Sequence, residues 1–232
     1  MNIGIIVAMS EEKEPIKRMM KNKEVIEKFN LKFEKGNIEN KNCILVESGV
    51  GKVNAARTTQ ILIDEFGVEK ILNVGAAGAI TNSMNIGDIL IAKHVVQHDF
   101  DITAFGHKKG YISNVGEIIN CDKQLLDEFK VLLKDIKIEY NTKIGIVASG
   151  DIFCTEEKMK NKINAKFNAD VVDMECASIA QVAYLDDIPF ISIRCISDIP
   201  NGENASTFDE NLELASNRCA EIIKEYCLNS KN

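Results

Sequence analysis

The feature that most constrains this chain is a series of short, β-branched apolar runs. Each closes on small or acidic residues, and most lead into a stretch of helical period. The first run is Ile3-Gly4-Ile5-Ile6-Val7-Ala8, leading to Glu11 and Glu12. Lys70-Ile71-Leu72-Asn73-Val74 enters Gly75-Ala76-Ala77-Gly78-Ala79. Residues 143–148 end at Ser149-Gly150-Asp151, and residues 189–196 end at Ser197-Asp198. Runs of this length read as strands buried on both faces. Helices are expected from a start between Ser10 and Glu14, left open by Pro15. Further helices are expected after Ser48–Ala56 to about Phe66, over 122–135, from about Thr155, from Met174 to Leu185, and from about Phe208 to Cys227. The alternation predicts an α/β chain with a mainly parallel sheet. Two antiparallel strands within 29–47 make that sheet mixed. Residues 88–97 read as a strand pair and 99–120 as a long loop.

No linker, low-complexity tract or internal repeat interrupts the 232 residues, so a single domain over 1–232 is expected. With 45% hydrophobic residues the chain can bury a sizeable core. Asp and Glu outnumber Lys and Arg by 35 to 28, for a net charge of −7, and the only arginines are Arg18, Arg57, Arg194 and Arg218. That balance excludes a phosphate-backbone binder, and no nucleic-acid partner is expected. No apolar stretch approaches the ~20 residues of a membrane span. The N-terminal run lacks a basic flank and is strand-sized, so neither a signal peptide nor a membrane partner is expected. The seven cysteines are scattered and form no CxxC pair, which reads as reduced thiols in the cytoplasm.

The motifs have competing explanations. Gly49-Val50-Gly51 lacks the third glycine of a dinucleotide fold, and Lys52-Val53 departs from a phosphate loop; a tight strand-to-helix turn explains both. Gly75-Ala76-Ala77-Gly78 either lets backbone approach a flat ligand or lets two elements pack closely. His94 and His98 share a strand face ~13 Å apart, too far for one metal, so no metal site is expected. No Cys–His pairing is evident for a nucleophilic thiol. The acids are more informative. Glu12, Asp151, Glu175 and Asp198 each fall at or near a strand end, where open α/β sheets bind ligands. One such acid is ordinarily a cap or a solvated charge. Four on one sheet edge match the needs of glycoside chemistry, in which one carboxyl activates water and another protonates the leaving group.

Eight short segments together carry a resemblance that runs end to end. They are Ile3–Ile6 with Ala8-Met9 and Glu11-Glu12; Ser48–Val53; Gly75–Gly78; Asp101–Gly106; Ser149–Asp151; Val172–Glu175; Arg194–Asp198; and Ser206–Asp209. In this order and spacing the chain resembles the nucleoside phosphorylase/hydrolase superfamily. It is most similar to the branch that hydrolyses 5′-methylthioadenosine and S-adenosylhomocysteine. The resemblance implies a three-layer α/β/α fold around a central mixed, mainly parallel sheet. It implies hydrolysis of the N-glycosidic bond, also of 5′-deoxyadenosine, to adenine and a 5-substituted ribose, with no cofactor.

The transition state is oxocarbenium-like, so adenine must leave neutral and water must be activated. Asp198 matches the general acid to adenine N7, and burial would raise its pKa for that task. Glu12 matches the base that activates water, and Glu175 the acceptor for both ribose hydroxyls. Arg194 matches a residue near the water, and Ser197 a support for Asp198. Backbone groups of Phe153 and Cys154 match those on the adenine edge, with the Phe153 ring stacked on the base. Ala77 and Gly78 belong to the binding set. Met9, Val50, Met174 and Phe208 match an apolar pocket for the thioether tail. Ile102 and Phe105 match residues that enter the neighbour's pocket in a homodimer. Ala76, Cys154, His107 and Ser113 depart from the family pattern, where Ser, Ile, Tyr and Pro are common. Two alternatives stay open: a phosphorolytic purine nucleoside phosphorylase, and hydrolysis of 6-amino-6-deoxyfutalosine through the same site.

Overall fold

The computed structural model describes residues 2–202 and 204–230. The elements run β1 (Asn2–Val7), α1 (Ser10–Met19), β2 (Lys21–Lys28), β3 (Leu31–Ile38), β4 (Lys41–Glu47), α2 (Lys52–Phe66), β5 (Lys70–Ala79) and β6 (Ile89–Gln97). A 3-10 turn (Thr103–Phe105) precedes β7 (Ile119–Asn120), α3 (Lys123–Asp135), β8 (Thr142–Ser149), α4 (Glu157–Phe167), β9 (Val171–Asp173), α5 (Cys176–Leu185), β10 (Phe190–Asp198) and α6 (Asn204–Asn229). All ten strands join one mixed sheet, ordered β10-β6-β8-β9-β5-β1-β4-β3-β2, with β7 on β6. Most of the paired residues are in parallel pairs. Because β10 also pairs with β5, strands β10, β6, β8, β9 and β5 close a circuit. Helix α2 packs on α5 and α1 on α6, giving the helical layers that cover the sheet.

The core is built from the β-branched runs that marked the strands. Ile3, Ile5, Ile6, Ile71, Leu72, Ile191 and Ile193 are all fully buried. Since β1 and β10 flank β5 and run parallel to it, their carboxyl ends arrive together. Strands β8 and β9 run the other way, and the end of β9 meets the far end of β5 at Gly78↔Val172. The ends of five strands, β1, β5, β8, β9 and β10, therefore converge on one place. The circuit thus gathers the segments 8–12, 75–78, 149–154 and 197–200.

Several boundaries differ from expectation for identifiable reasons. Strand β2 is almost wholly exposed at the sheet edge, so it carries no apolar alternation to reveal it. The segment 29–47 holds the antiparallel strands β3 and β4, and Gly36 lies inside β3. Residues 89–97 form one strand, since β6 is flanked by β8 and β10. Strand β5 continues through the Gly-Ala-Ala-Gly segment, which pairs with β10 and β9. Helix α1 starts at Ser10 and contains Pro15, with Met9 in the extended capping position. Helix α6 starts at Asn204, ahead of the expected Phe208. Among the described residues no helix is long and apolar enough to cross a membrane.

Candidate active site

Glu12 lies in the first turn of α1, and its carboxylate caps that helix. Oε2 accepts from the backbone N–H groups of Ala8 (2.9 Å) and Met9 (3.1 Å). Oε1 crosses to β5 and accepts from Ala76 N–H at 2.8 Å. Burial raises its pKa, and the three N–H groups and Arg194 offset part of that rise. Asp198 ends β10, where a register irregularity between Ile196 and Asp198 sets it opposite Gly78. Its Oδ1 accepts from Ser197 Oγ at 2.8 Å and its Oδ2 from Asn204 Nδ2 at 2.6 Å. Burial raises the Asp198 pKa as well, against those two donors.

The two glycines of β5 make room for these acids. A Cβ on Gly75 would lie 2.5 Å from Glu12 Oε1 and 2.6 Å from Arg194 Nη1. One on Gly78 would lie 3.1 Å from Asp198 Oδ2. The small residues therefore serve close packing, and what packs there is the pair of acids. Gly51, at φ +99°, adopts a turn that residues with a Cβ resist. Its N–H donates to Glu175 Oε1 at 2.8 Å. Glu175 stands at the N-terminal boundary of α5 without a side-chain cap bond, and its pKa is raised by burial first and by the Asp173 charge second. Arg194 is fully buried behind these groups, with Nη2 bonded to Asp173 Oδ2 at 2.5 Å and to Asn73 Oδ1.

A cavity of about 320 Å³ opens among these groups. Met9, Glu12, Val50, Ala77, Gly78, Phe153, Cys154, Met174, Glu175, Asp198 and Phe208 line it. The rings of Phe153 and Phe208 meet edge to face, with centroids 5.7 Å apart. Arg194 and Ser197 are buried behind the wall, and Ile102 and Phe105 lie outside it. Phe105 is 82% exposed on the 3-10 turn. Asp151, one of the four acids singled out from sequence, does not line the cavity. It accepts from Lys52 N–H at 2.8 Å, and Lys52 Nζ bonds Asp99 at 2.7 Å.

Asp173 stands in the wall instead, bonded to Ser149 Oγ, Cys176 N–H and Arg194. Its place at a strand end, two residues before Glu175, was the available signal. Asn204 was also missed, because 199–207 shows no period. Ala8, Ala76, Ile152, Val172, Ala205 and Asp209 complete the lining. Among the described residues no group of three or more His, Cys, Asp or Glu is arranged to hold a metal ion.

The cavity thus sets five carboxyls among apolar walls, with no Lys or Arg among the described residues that line it. A fold of this kind with such a site defines a nucleoside-cleaving class, and the chain belongs to the phosphorylase superfamily, whose family profile matches residues 2–227. More narrowly, its relatives are nucleosidases. The 5′-methylthioadenosine/S-adenosylhomocysteine nucleosidase of Staphylococcus carnosus is 41% identical over 224 residues, covering 96% of this chain and 97% of that protein. The S-adenosylhomocysteine nucleosidase of Streptococcus pyogenes, solved with 5-methylthiotubericidin, superposes with a TM-score of 0.96 at 35% identity. That match covers 100% of this chain and 98% of the other. A futalosine hydrolase of Helicobacter pylori is similar too, with a TM-score of 0.93 and 34% identity over 97% of this chain and 96% of that one.

Proposed function

We propose that this chain hydrolyses the N-glycosidic bond of 5′-methylthioadenosine, S-adenosylhomocysteine and 5′-deoxyadenosine, releasing adenine and the 5-substituted ribose. The observation that carries hydrolysis over phosphorolysis is the wall of the cavity. Its charged groups are carboxyls, and Arg194 is committed to Asp173 and Asn73 behind them. A phosphate dianion would meet like charge at Glu12 and no lysine or arginine in the cavity wall, whereas water meets a base.

Asp198 gives its proton to adenine N7, so the base departs neutral. The Ser197 and Asn204 donors then stabilise the carboxylate left behind. Glu12 takes a proton from the water that attacks C1′. Its remaining lone pairs are fixed by three N–H groups, so the carboxylate needs no reorganisation as the ribosyl cation forms. Glu175 accepts from the ribose hydroxyls, with one oxygen steadied by Gly51 N–H. Arg194 sits near the water and balances charge between Glu12 and Asp173. Phe153 stacks on the base, and the backbone of Phe153 and Cys154 reads its edge beside Ala77 and Gly78. Met9, Val50, Met174 and Phe208 form the apolar seat for the sulfur substituent.

The reading includes a cytoplasmic homodimer of one domain per chain, in which Ile102 and Phe105 enter the partner's pocket. Phe105 on the 3-10 turn and Val53 on α2, 82% and 79% exposed, are apolar side chains that a second copy would cover. The likeness to a futalosine hydrolase supports 6-amino-6-deoxyfutalosine as a further substrate of the same site. The test is adenine release from 5′-methylthioadenosine in phosphate-free buffer. Release at full rate is expected; release that depends on added phosphate would overturn hydrolysis in favour of phosphorolysis.

A further inference from the structure

Asn204 is 1% exposed at the start of α6 and does not line the cavity, yet its amide touches two groups that do. Nδ2 donates to Asp198 Oδ2 at 2.6 Å and to the Cys154 carbonyl at 3.0 Å. A carbonyl can only accept, so the Cys154 bond fixes which end of the amide faces Asp198. The lone pair of Oδ2 that faces α6 is thereby occupied by an N–H. Ser197 Oγ occupies Oδ1 in the same way.

The other end of the amide, Oδ1, is buried with no hydrogen-bond partner. The amide thus makes both of its bonds through Nδ2, to the acid and to the Cys154 backbone, and leaves its own oxygen unpaired. Adenine is a rigid plane, so an acid at its five-membered ring and a backbone reader at its edge must be held at one fixed spacing. Asn204 is bonded to both.

We infer that Asn204 is a positioning residue: its amide braces Asp198 against the Cys154 backbone and directs the acid's proton away from α6 and into the cavity. This rests on Asp198 being the general acid. The same N–H stabilises the carboxylate formed once the proton has gone, so it favours the transition state over the ground state. The titratable groups that share the cavity with Asp198 are the Cys154 thiol, pushed up to about 11 by burial and then by the Asp198 charge, and the carboxyls of Glu12, Asp173, Glu175 and Asp209. On its own strand and on β5 it meets Ser197 and Gly78, which do not titrate. The Asn204 amide is thus the adjustable donor on this carboxyl.

The test compares pH profiles of kcat/KM for the wild type, Asn204→Ala and the near-isosteric Asn204→Asp, with Asp198→Asn alongside and thermal melting to verify folding. Loss of the N–H donor leaves the Asp198 anion less stable, so its pKa rises. The basic limb, where the acid loses its proton, moves to higher pH in Asn204→Ala. It moves further in Asn204→Asp, where two carboxyls share a proton. Turnover at the optimum falls by about 10- to 100-fold, within the range of a general-acid contribution. Lowered activity with an unmoved basic limb in both Asn204 variants, while Asp198→Asn is inactive, would overturn the Asn204 role and leave Asp198 standing. Activity retained in Asp198→Asn would overturn both.

Discussion

Glu12 and Asp198 are both buried carboxyls with raised pKa values, but they are supported in different ways. Glu12 is surrounded by three backbone N–H groups, two from the β1–α1 junction and one from β5, and Asp198 by two side-chain donors. Backbone donors cannot turn away, so Glu12 is fixed as an acceptor and suits a base. Glu12→Gln puts an amide NH2 against one set of these N–H groups, leaving donors face to face. The variant is expected to bind an adenine nucleoside and to lose roughly 10²- to 10⁴-fold in kcat. Its melting temperature should also fall, because a cap of α1 is lost. Calorimetric binding beside turnover checks this, and turnover near the wild-type rate would remove Glu12 from the base role. Glu12, Glu175 and Asp198 were legible in the sequence because acids at the ends of apolar runs are conspicuous. Asp173 and Asn204 were not, since their partners, Arg194, Ser149 and Cys154, come from distant strands and loops.

At the scale of elements, β5 decides the site. Its Gly75-Ala76-Ala77-Gly78 stretch pairs with β10 residue for residue, apart from the irregularity that aims Asp198. The two glycines differ in how much room they provide, and that gives a graded prediction. Gly75→Ala drives a methyl group to 2.5 Å from a carboxylate that cannot move without breaking backbone bonds. Gly78→Ala brings one to 3.1 Å from Asp198, which a shift of a few tenths of an ångström relieves. Gly75→Ala should abolish most activity and Gly78→Ala should reduce it several-fold. Comparing kcat/KM of the two folded variants tests the order, and the reverse order would mean that the glycines serve the ligand directly. The pattern of buried strands was readable because β1, β5 and β10 are rich in apolar residues and buried on both faces. The continuation of β5 through its glycines was not, because Gly and Ala carry no strand signal and only the neighbouring strands hold them extended.

For the molecule as a whole, the site works against the fold. Glu175 is pushed up to about 8, by burial first and by the Asp173 charge second. Its folded-state value then lies above the value in the unfolded chain. Between the two the folded protein binds more protons than the unfolded one, so stability falls as pH rises through that window. The contribution is absent below the ordinary carboxylate value, where both states are protonated, and reaches its full cost above about pH 8. Glu175→Gln keeps an acceptor for Gly51 N–H and removes the charge. The variant should therefore melt several degrees higher than the wild type at pH 8, and the gap should close as pH falls towards 4.5. Turnover should drop at the same time, because a neutral amide is a weaker acceptor for the ribose hydroxyls and no longer offsets the ribosyl cation. Melting curves of both proteins at the two pH values measure this exchange of stability for activity. A variant that melts lower than the wild type at pH 8 would show that the Glu175 charge is compensated in the empty site. The acid cluster would then be a source of stability, and Arg194 would have to be reassigned as the centre of a structural ion network.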